Sequence, residues 1–307
     1  MDALAERLGH GAPSAYRELS RLQRLVWMLE QRTNPMFSIP SYCLLWGNQF
    51  SMAIDRWRRR HGTALRDWLA ALGEFEALVS LATYTYEHPH DTFPELLPDG
   101  PAFEAEDFAH PLLDGDTAIR NDVQLGTAMR FLVVSGSNMS GKSTFLRAIG
   151  LNTVLAWMGA PVRSSNMRLS ALQVGAAIRV PDSLVDGRSH FLAEMERLRR
   201  MIDSAGERPL LFLVDEMLSG TNSHDRRIAA EWVVRALVAR GAIGAFTTHD
   251  LALTESASNG LPGTNVHFTD TGGDDTLDFD YKLRPGVLTR SNALNIARML
   301  GIDQANS

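Results

Sequence analysis

Phe131-Leu-Val-Val-Ser-Gly136-Ser-Asn-Met-Ser-Gly141-Lys142-Ser143-Thr144 is the stretch on which the reading of this chain turns. An unbroken apolar run leads into a glycine-bounded loop, and Thr144-Phe-Leu-Arg-Ala-Ile-Gly-Leu continues with the apolar spacing of a helix. The pattern G-x-x-x-x-G-K-[ST] is met at Gly136, Gly141, Lys142 and Ser143. Glycines at both ends let the backbone wrap an anion without a Cβ in the way. Successive N–H groups of Ser137, Asn138, Met139 and Ser140, and of the helix start through Thr144, then point at phosphates, where the helix dipole favours negative charge. Lys142 reaches the β- and γ-phosphates, and the Ser143 hydroxyl can ligate Mg²⁺. A chance turn with an exposed lysine is the competing reading, and the strand–loop–helix context argues against it.

Pro209-Leu-Leu-Phe-Leu-Val-Asp215-Glu216 is a second apolar run, ending in adjacent carboxylates. Such a strand delivers Asp215 to a Mg²⁺ shell and leaves Glu216 placed to take a proton from attacking water. A buried strand leaving the core at acidic residues is common by itself; paired with an upstream phosphate loop it is not. Ala242 to Thr247 is a third strand and runs straight into Thr248-His249, so His249 is expected at the same sheet edge, in reach of a γ-phosphate or its water. Between these runs, Phe191, Met195, Leu198 and Ile202 share a helical face, with Gly187 to Ser189 at the helix start. That start is either an ordinary cap or a second anion site, one that a neighbouring copy would complete.

The chain has 307 residues, 45% hydrophobic content, a formal net charge of −6 and a single cysteine, Cys43. This composition is globular and large enough for one big or two ordinary domains. The acidic balance gives no global attraction to nucleic acid, so DNA contact requires a local patch or parts outside this chain. One cysteine fits a reducing compartment. The opening residues lack the basic-then-apolar order of a signal peptide, which gives a cytoplasmic expectation, with a membrane-anchored full-length form still compatible. Thr33 to Ile54 carries no charge and is followed by Arg56-Trp-Arg-Arg-Arg60, yet its prolines, asparagines and glycine argue for a loop and a buried helix over a membrane span.

Before residue 92 the apolar spacing predicts helices over Ala15 to Gln31 and Ala64 to Ala82, packed antiparallel. His88-Pro-His90-Asp91 lacks the further ligands of a metal site and reads as a loop. Prolines and glycines from Thr92 to Gly115 mark a domain junction near residue 92. Beyond it, short apolar runs alternate with helical segments, as in a sheet covered by helices. Val266 to Asp270 and Leu277 to Leu283 alternate around a glycine-rich turn and predict a hairpin, and Ser291 caps a last helix toward Gly301.

The order of Gly136-Ser-Asn-Met-Ser-Gly-Lys-Ser, Asp186-Gly-Arg-Ser-His-Phe-Leu-Ala-Glu-Met195, Asp215-Glu216, Gly220-Thr-Asn-Ser-His-Asp225 and Thr247-Thr-His249 resembles the ATPase domain of the MutS DNA mismatch-repair family, a branch of the ABC-type ATPases. Ala109-His-Pro-Leu-Leu113, Asn121-Asp122 and Tyr281-Lys-Leu-Arg-Pro-Gly286 resemble its flanking segments. The resemblance implies an α/β P-loop NTPase with a mostly parallel sheet covered by helices over 92–307, preceded by a small helical region, lever-like, over 1–91. It implies ATP and Mg²⁺ as cofactors, with Ser143 and Asp215 at the metal. It also implies Ile119 near the adenine and a homodimer in which Ser189 of one subunit reaches the nucleotide of the other. Ala118 stands where the family carries an aromatic ring, Leu218 and Ser219 where it carries glycine and arginine, and the mismatch-reading domain has no counterpart. The implied function is an ATPase coupling dimer closure to DNA binding in the full-length protein. The alternative is a nucleotide-gated switch that ignores mismatches and acts on a protein or membrane partner. A small-molecule P-loop kinase is disfavoured by the Asp215-Glu216 pair, and no small-molecule substrate other than ATP is expected.

Overall fold

The computed structural model describes residues 15–113, 115, 117–137, 139–178, 190–206, 208–218, 223–250, 253–254, 260–270 and 278–288. The chain forms two compact units, Met1–Glu87 and His88–Ser307.

In the first unit, α1 (Ala15–Glu30) runs antiparallel to the first half of α3 (Trp46–Glu87), with the short α2 (Ser38–Cys43) in the connection. Glu18 meets His61 at 3.3 Å and the Trp46 indole N–H donates to Met28 O at 2.6 Å, which fixes the register of the pair. Both expected helices are present, but α3 is one unbroken helix of 42 residues, about 63 Å long at 1.5 Å per residue, and α1 pairs with its first half, not with the expected Ala64–Ala82 stretch. Gly62 and Gly73 each weaken it by only about 1 kcal/mol relative to alanine, too little to end a helix rich in Ala, Leu, Glu and Arg. The uncharged Thr33–Ile54 stretch becomes a 3₁₀ turn, α2, a left-handed Leu45 and the start of α3. The helix it leads into is not the buried one expected: only Trp57 and Ala71 of α3 are buried, and Leu72, Phe75 and Val79 are exposed. Among the described residues no helix is long and apolar enough to cross a membrane.

The second unit is α/β, and its sheets are mixed. Five strands, β4 (Phe131–Ser135), β6 (Gln173–Ala177), β7 (Leu210–Val214), β8 (Ile243–Thr248) and β9 (Gly263–Asp270), pair parallel in one sheet. With β10 (Phe279–Pro285) at its edge the order is β10-β9-β4-β8-β7-β6. The last strand returns antiparallel to β9, as a direct connection between neighbouring strands requires, with a bulge between Phe279 and Leu283. A second sheet of order β1-β5-β2-β3 joins β1 (Glu95–Leu97), β5 (Asn166–Ser170), β2 (Phe103–Phe108) and β3 (Asn121–Leu125). There β2 is antiparallel to both neighbours, so the expected single, mostly parallel sheet is corrected to two mixed ones. The predicted hairpin is the β9–β10 pair, while the predicted final helix from Ser291 lies outside the described residues.

Every residue of β4, β7 and β8 is buried, as expected of strands covered on both faces. One face packs with α4 (Lys142–Trp157) and the second sheet around Phe108, Phe145, Ile149 and Phe268. The other packs with α5 (His190–Ser204) and α6 (Ser223–Ala239) around Leu198, Phe212, Val234 and Phe246. Along α6, Ala230, Val233, Val234 and Leu237 face inward, and Trp232 is exposed.

His88 to Asp91 forms a turn, closed by the Asp91 N–H donating to His88 O. The buried Arg163 guanidinium lies 3.8 Å from Asp91 Oδ1, 3.4 Å from His88 Nδ1, and donates to Leu113 O at 3.0 Å. Its backbone N–H donates to Asn152 of α4. Arg163→Met removes the cation facing a carboxylate that is itself only 3% exposed. The expected loss is about 3–5 kcal/mol of unfolding free energy, measured by denaturant titration; a loss under about 1 kcal/mol contradicts this account.

Candidate functional site

The glycine loop leaves β4 at Gly136, φ +155°, and enters α4 at Gly141, φ +100°. A Cβ on Gly136 would lie 2.7 Å from Ser140 Oγ and 3.1 Å from Phe268 O, so the loop closes only over glycine. Gly141 caps α4 without a side-chain hydrogen bond, which leaves the first N–H groups of the helix for an external acceptor. Met139 is left-handed at φ +67° and exposed. Ser140 Oγ donates to Ser137 O at 2.8 Å and tightens the turn. Lys142 folds back over the loop, its Nζ donating to Gly136 O at 2.9 Å and Ser137 O at 2.7 Å. Burial pushes its ammonium down to about 8, against the opposing pull of Glu216 and Asp215.

Asp215 and Glu216 follow β7 directly. Thr247 of the neighbouring β8 organises both: its hydroxyl donates to Asp215 Oδ1 at 2.8 Å and accepts the Glu216 N–H at 2.7 Å. The parallel pairing of β7 with β8, Val214 beside Phe246, brings these side chains to one edge. His249, just past β8, has Nδ1 3.1 Å from Gly136 O and Nε2 2.9 Å from Glu216 Oε1. A carbonyl oxygen only accepts, so Nδ1 carries a proton. A proton then also lies between Nε2 and the carboxylate. His249 thus ties the glycine loop to Glu216.

Beside this edge is a cavity of about 670 Å³, within the usual range for a small-molecule site. Gly141, Lys142, Ser143, Thr144, Met139 and Glu216 line it together with Phe108, His110, Ile119 and Tyr281. Asn121 holds Tyr281 there: its side-chain amide donates to Tyr281 O at 3.0 Å and accepts from the Leu283 N–H at 2.7 Å. Tyr281 is left-handed, φ +51°, and its ring would meet a Cβ on Gly141 at 3.1 Å. His110 Nδ1 accepts the Leu112 N–H at 3.2 Å, which leaves Nε2 as the donor. Burial, then nearby Arg147, lowers its pKa and keeps the ring neutral.

The structure therefore brings Gly136, Ser137, Ser140, Gly141, Lys142, Ser143, Thr144, Met139, Ile119, Asp215, Glu216 and His249 to one edge. Asn138 and Ser189 lie outside the described residues. Tyr281 and His110 were missed as cavity residues; only their place in segments flanking the main motifs pointed to them. Among the described residues no cluster of three or more metal-ligating side chains occurs.

A family model described as MutS domain V matches residues 132–305. The chain is 32% identical over 238 residues to the "DNA mismatch repair protein MutS 2" of Halobacterium salinarum, covering 76% of this chain and 27% of that protein. It is 30% identical over 245 residues to the "DNA mismatch repair protein MutS" of Natronomonas pharaonis, covering 78% and 28%. The chain spans about a quarter of the length of these curated relatives. On the match to more than half of its residues, the chain belongs to the MutS family.

Proposed function

We propose that this chain is a P-loop ATPase unit of MutS type that binds and hydrolyses ATP with Mg²⁺, and that in the full-length protein closure of two such units is coupled to DNA binding. The observation that carries this reading is the His249 bridge, which joins the phosphate-loop carbonyl of Gly136 to the Glu216 carboxylate at the mouth of the cavity.

The residues present suit an anionic, metal-bearing ligand. Ser137 Oγ is buried with no hydrogen-bond partner among the described residues, the start of α4 has no side-chain cap, and Lys142 is bonded only to carbonyls of its own loop. The Ser143 hydroxyl and Asp215 would hold Mg²⁺, with Thr247 fixing one Asp215 oxygen. When bound, that ion supplies charge neutralisation and Lewis acidity at the phosphates. Lys142 exchanges its carbonyl partners for phosphate oxygens. Glu216 is the general base that accepts a proton from water, and His249 orients it and faces the terminal phosphate. Ile119 and Tyr281 line the cavity and would flank the base, where Ala118 offers no ring. Ser189 of a second copy completes the site across a homodimer. A chain with formal charge −6 has no long-range pull on a duplex, so the coupling to DNA is assigned to the full-length family protein. No observation favours the alternative of a switch on a membrane or protein partner.

The test is turnover of ATP with and without Mg²⁺, with matched duplex, mismatched duplex and no DNA, alongside solution mass. Mg²⁺-dependent turnover is expected. The ATP-bound Glu216→Gln chain should double in mass, and Ser189→Ala should reverse that. Absence of turnover under every condition removes the ATPase reading, and a strictly monomeric ATP-bound Glu216→Gln removes the role of Ser189.

A further inference from the structure

Along α5 and the residue that follows it, the line Glu194, Leu198, Met201 and Ala205 is buried, at the spacing of a helical stripe facing the core. Three members are apolar and the fourth is a carboxylate only 3% exposed. Packing alone does not call for a charge there, and burying one is unfavourable unless it makes specific bonds. Glu194 Oε1 accepts the Leu218 N–H at 2.8 Å.

The turn that leaves β7 explains the need. Glu216 has φ +53° and Leu218 φ +56°, two left-handed residues that are not glycine. Side chains of this kind hold that conformation only when the surroundings fix it. Here the Glu216 N–H goes to Thr247 Oγ1, the Met217 N–H to Thr247 O, and the Leu218 N–H to Glu194. Leu218 O in turn accepts from Arg226 Nε at 3.0 Å. One end of the turn is thus tied to β8, and the other to α5 and α6.

We propose that Glu194 is a positioning residue for hydrolysis: by anchoring the Leu218 amide it holds the strained turn that keeps Glu216 aimed at His249 and the cavity. The proposal rests on Glu216 being the general base. Glu194 is not one of the residues that line the cavity.

The experiment compares ATP binding and turnover of the full chain as wild type, Glu194→Met, Glu194→Asp, Glu194→Gln and each of the first two combined with Glu216→Gln. Methionine fills the space without an acceptor, and aspartate keeps the charge but is one methylene too short to reach the Leu218 N–H. Both should lower kcat ten- to a hundredfold while KM and ATP affinity stay within about threefold. Glutamine, which keeps an acceptor oxygen, should recover most of the loss. In the Glu216→Gln background neither substitution should lower the residual turnover further, a non-additivity that simple destabilisation would not produce. Should Glu194→Met not fold, Glu194→Asp decides alone. Wild-type kcat in a folded, ATP-binding Glu194→Asp or Glu194→Met chain overturns the proposal while leaving the base assignment intact, and so does an additive loss in the double variants. Full turnover in Glu216→Gln alone sinks the base assignment, and the Glu194 proposal falls with it.

Discussion

Glu216→Gln is expected to lower kcat for ATP by about 10²- to 10⁴-fold, the contribution of a positioned general base, while leaving nucleotide affinity nearly unchanged. The substitution keeps size and the backbone bond from Glu216 N–H to Thr247. It also keeps an oxygen that the His249 Nε2–H can donate to, so the link from Gly136 through His249 survives in shape. What disappears is a carboxylate able to take a proton. In free-energy terms the change is about 3–5 kcal/mol in the barrier with little change in ground-state binding. Pre-steady-state turnover and equilibrium binding of ATP, measured on the same sample, separate the two. Loss of binding in parallel with kcat would mean that Glu216 holds the loop together through His249 and is not the base. Wild-type kcat would remove it from the chemistry altogether.

The parts of the site that could be read from the sequence are those where a buried strand ends on a functional residue. β4, β7 and β8 are continuous apolar runs because both faces are covered, and the residues after them, Gly136, Asp215 and His249, fall at one edge once the strands are parallel and adjacent. What could not be read depends on contacts between distant segments. The bond between His249 and Glu216 follows from the β7–β8 register, not from local spacing. Tyr281 reaches the cavity because Asn121, 160 residues earlier, fixes its backbone. The second sheet was missed because β2, Phe103-Glu-Ala-Glu-Asp-Phe108, mixes buried and exposed positions without strict alternation. Glu194 was passed over for a related reason: apolar periodicity selects Phe191, Met195, Leu198 and Ile202, of which only Leu198 lies on the innermost line of α5, and that line also contains a carboxylate. In α3 the reverse error occurred, since an apolar stripe through Leu72, Phe75 and Val79 is present and exposed. Periodicity reports where a face could be buried, and only tertiary contacts decide whether it is.

Lys142→Met is expected to lower kcat/KM for ATP by about 10²- to 10³-fold, the loss of one preorganised cationic donor, and to erase a pH dependence that belongs to this lysine. Burial holds its pKa at about 8 against an ordinary 10.5. Two consequences of opposite sign follow. Between those values the unfolded chain holds a proton that the folded chain has released, so folding stability gains from this group as pH rises from about 8 toward 10.5. Below pH 8 both states are protonated and the full burial penalty on the ammonium is present. Phosphate oxygens, by contrast, bind the protonated form, so above pH 8 association must first take up a proton. ATP affinity should then weaken by close to tenfold per pH unit, in the same window where stability improves. The triphosphate completes its own ionisation below that window, so the change reports on the protein. Binding titrations and thermal melts from pH 7 to 10, each taken as the difference between wild type and Lys142→Met, isolate the group. Affinity that is flat with pH in wild type, or a slope that persists in Lys142→Met, shows that the lysine seated on Gly136 O and Ser137 O is not the cation that meets the phosphates.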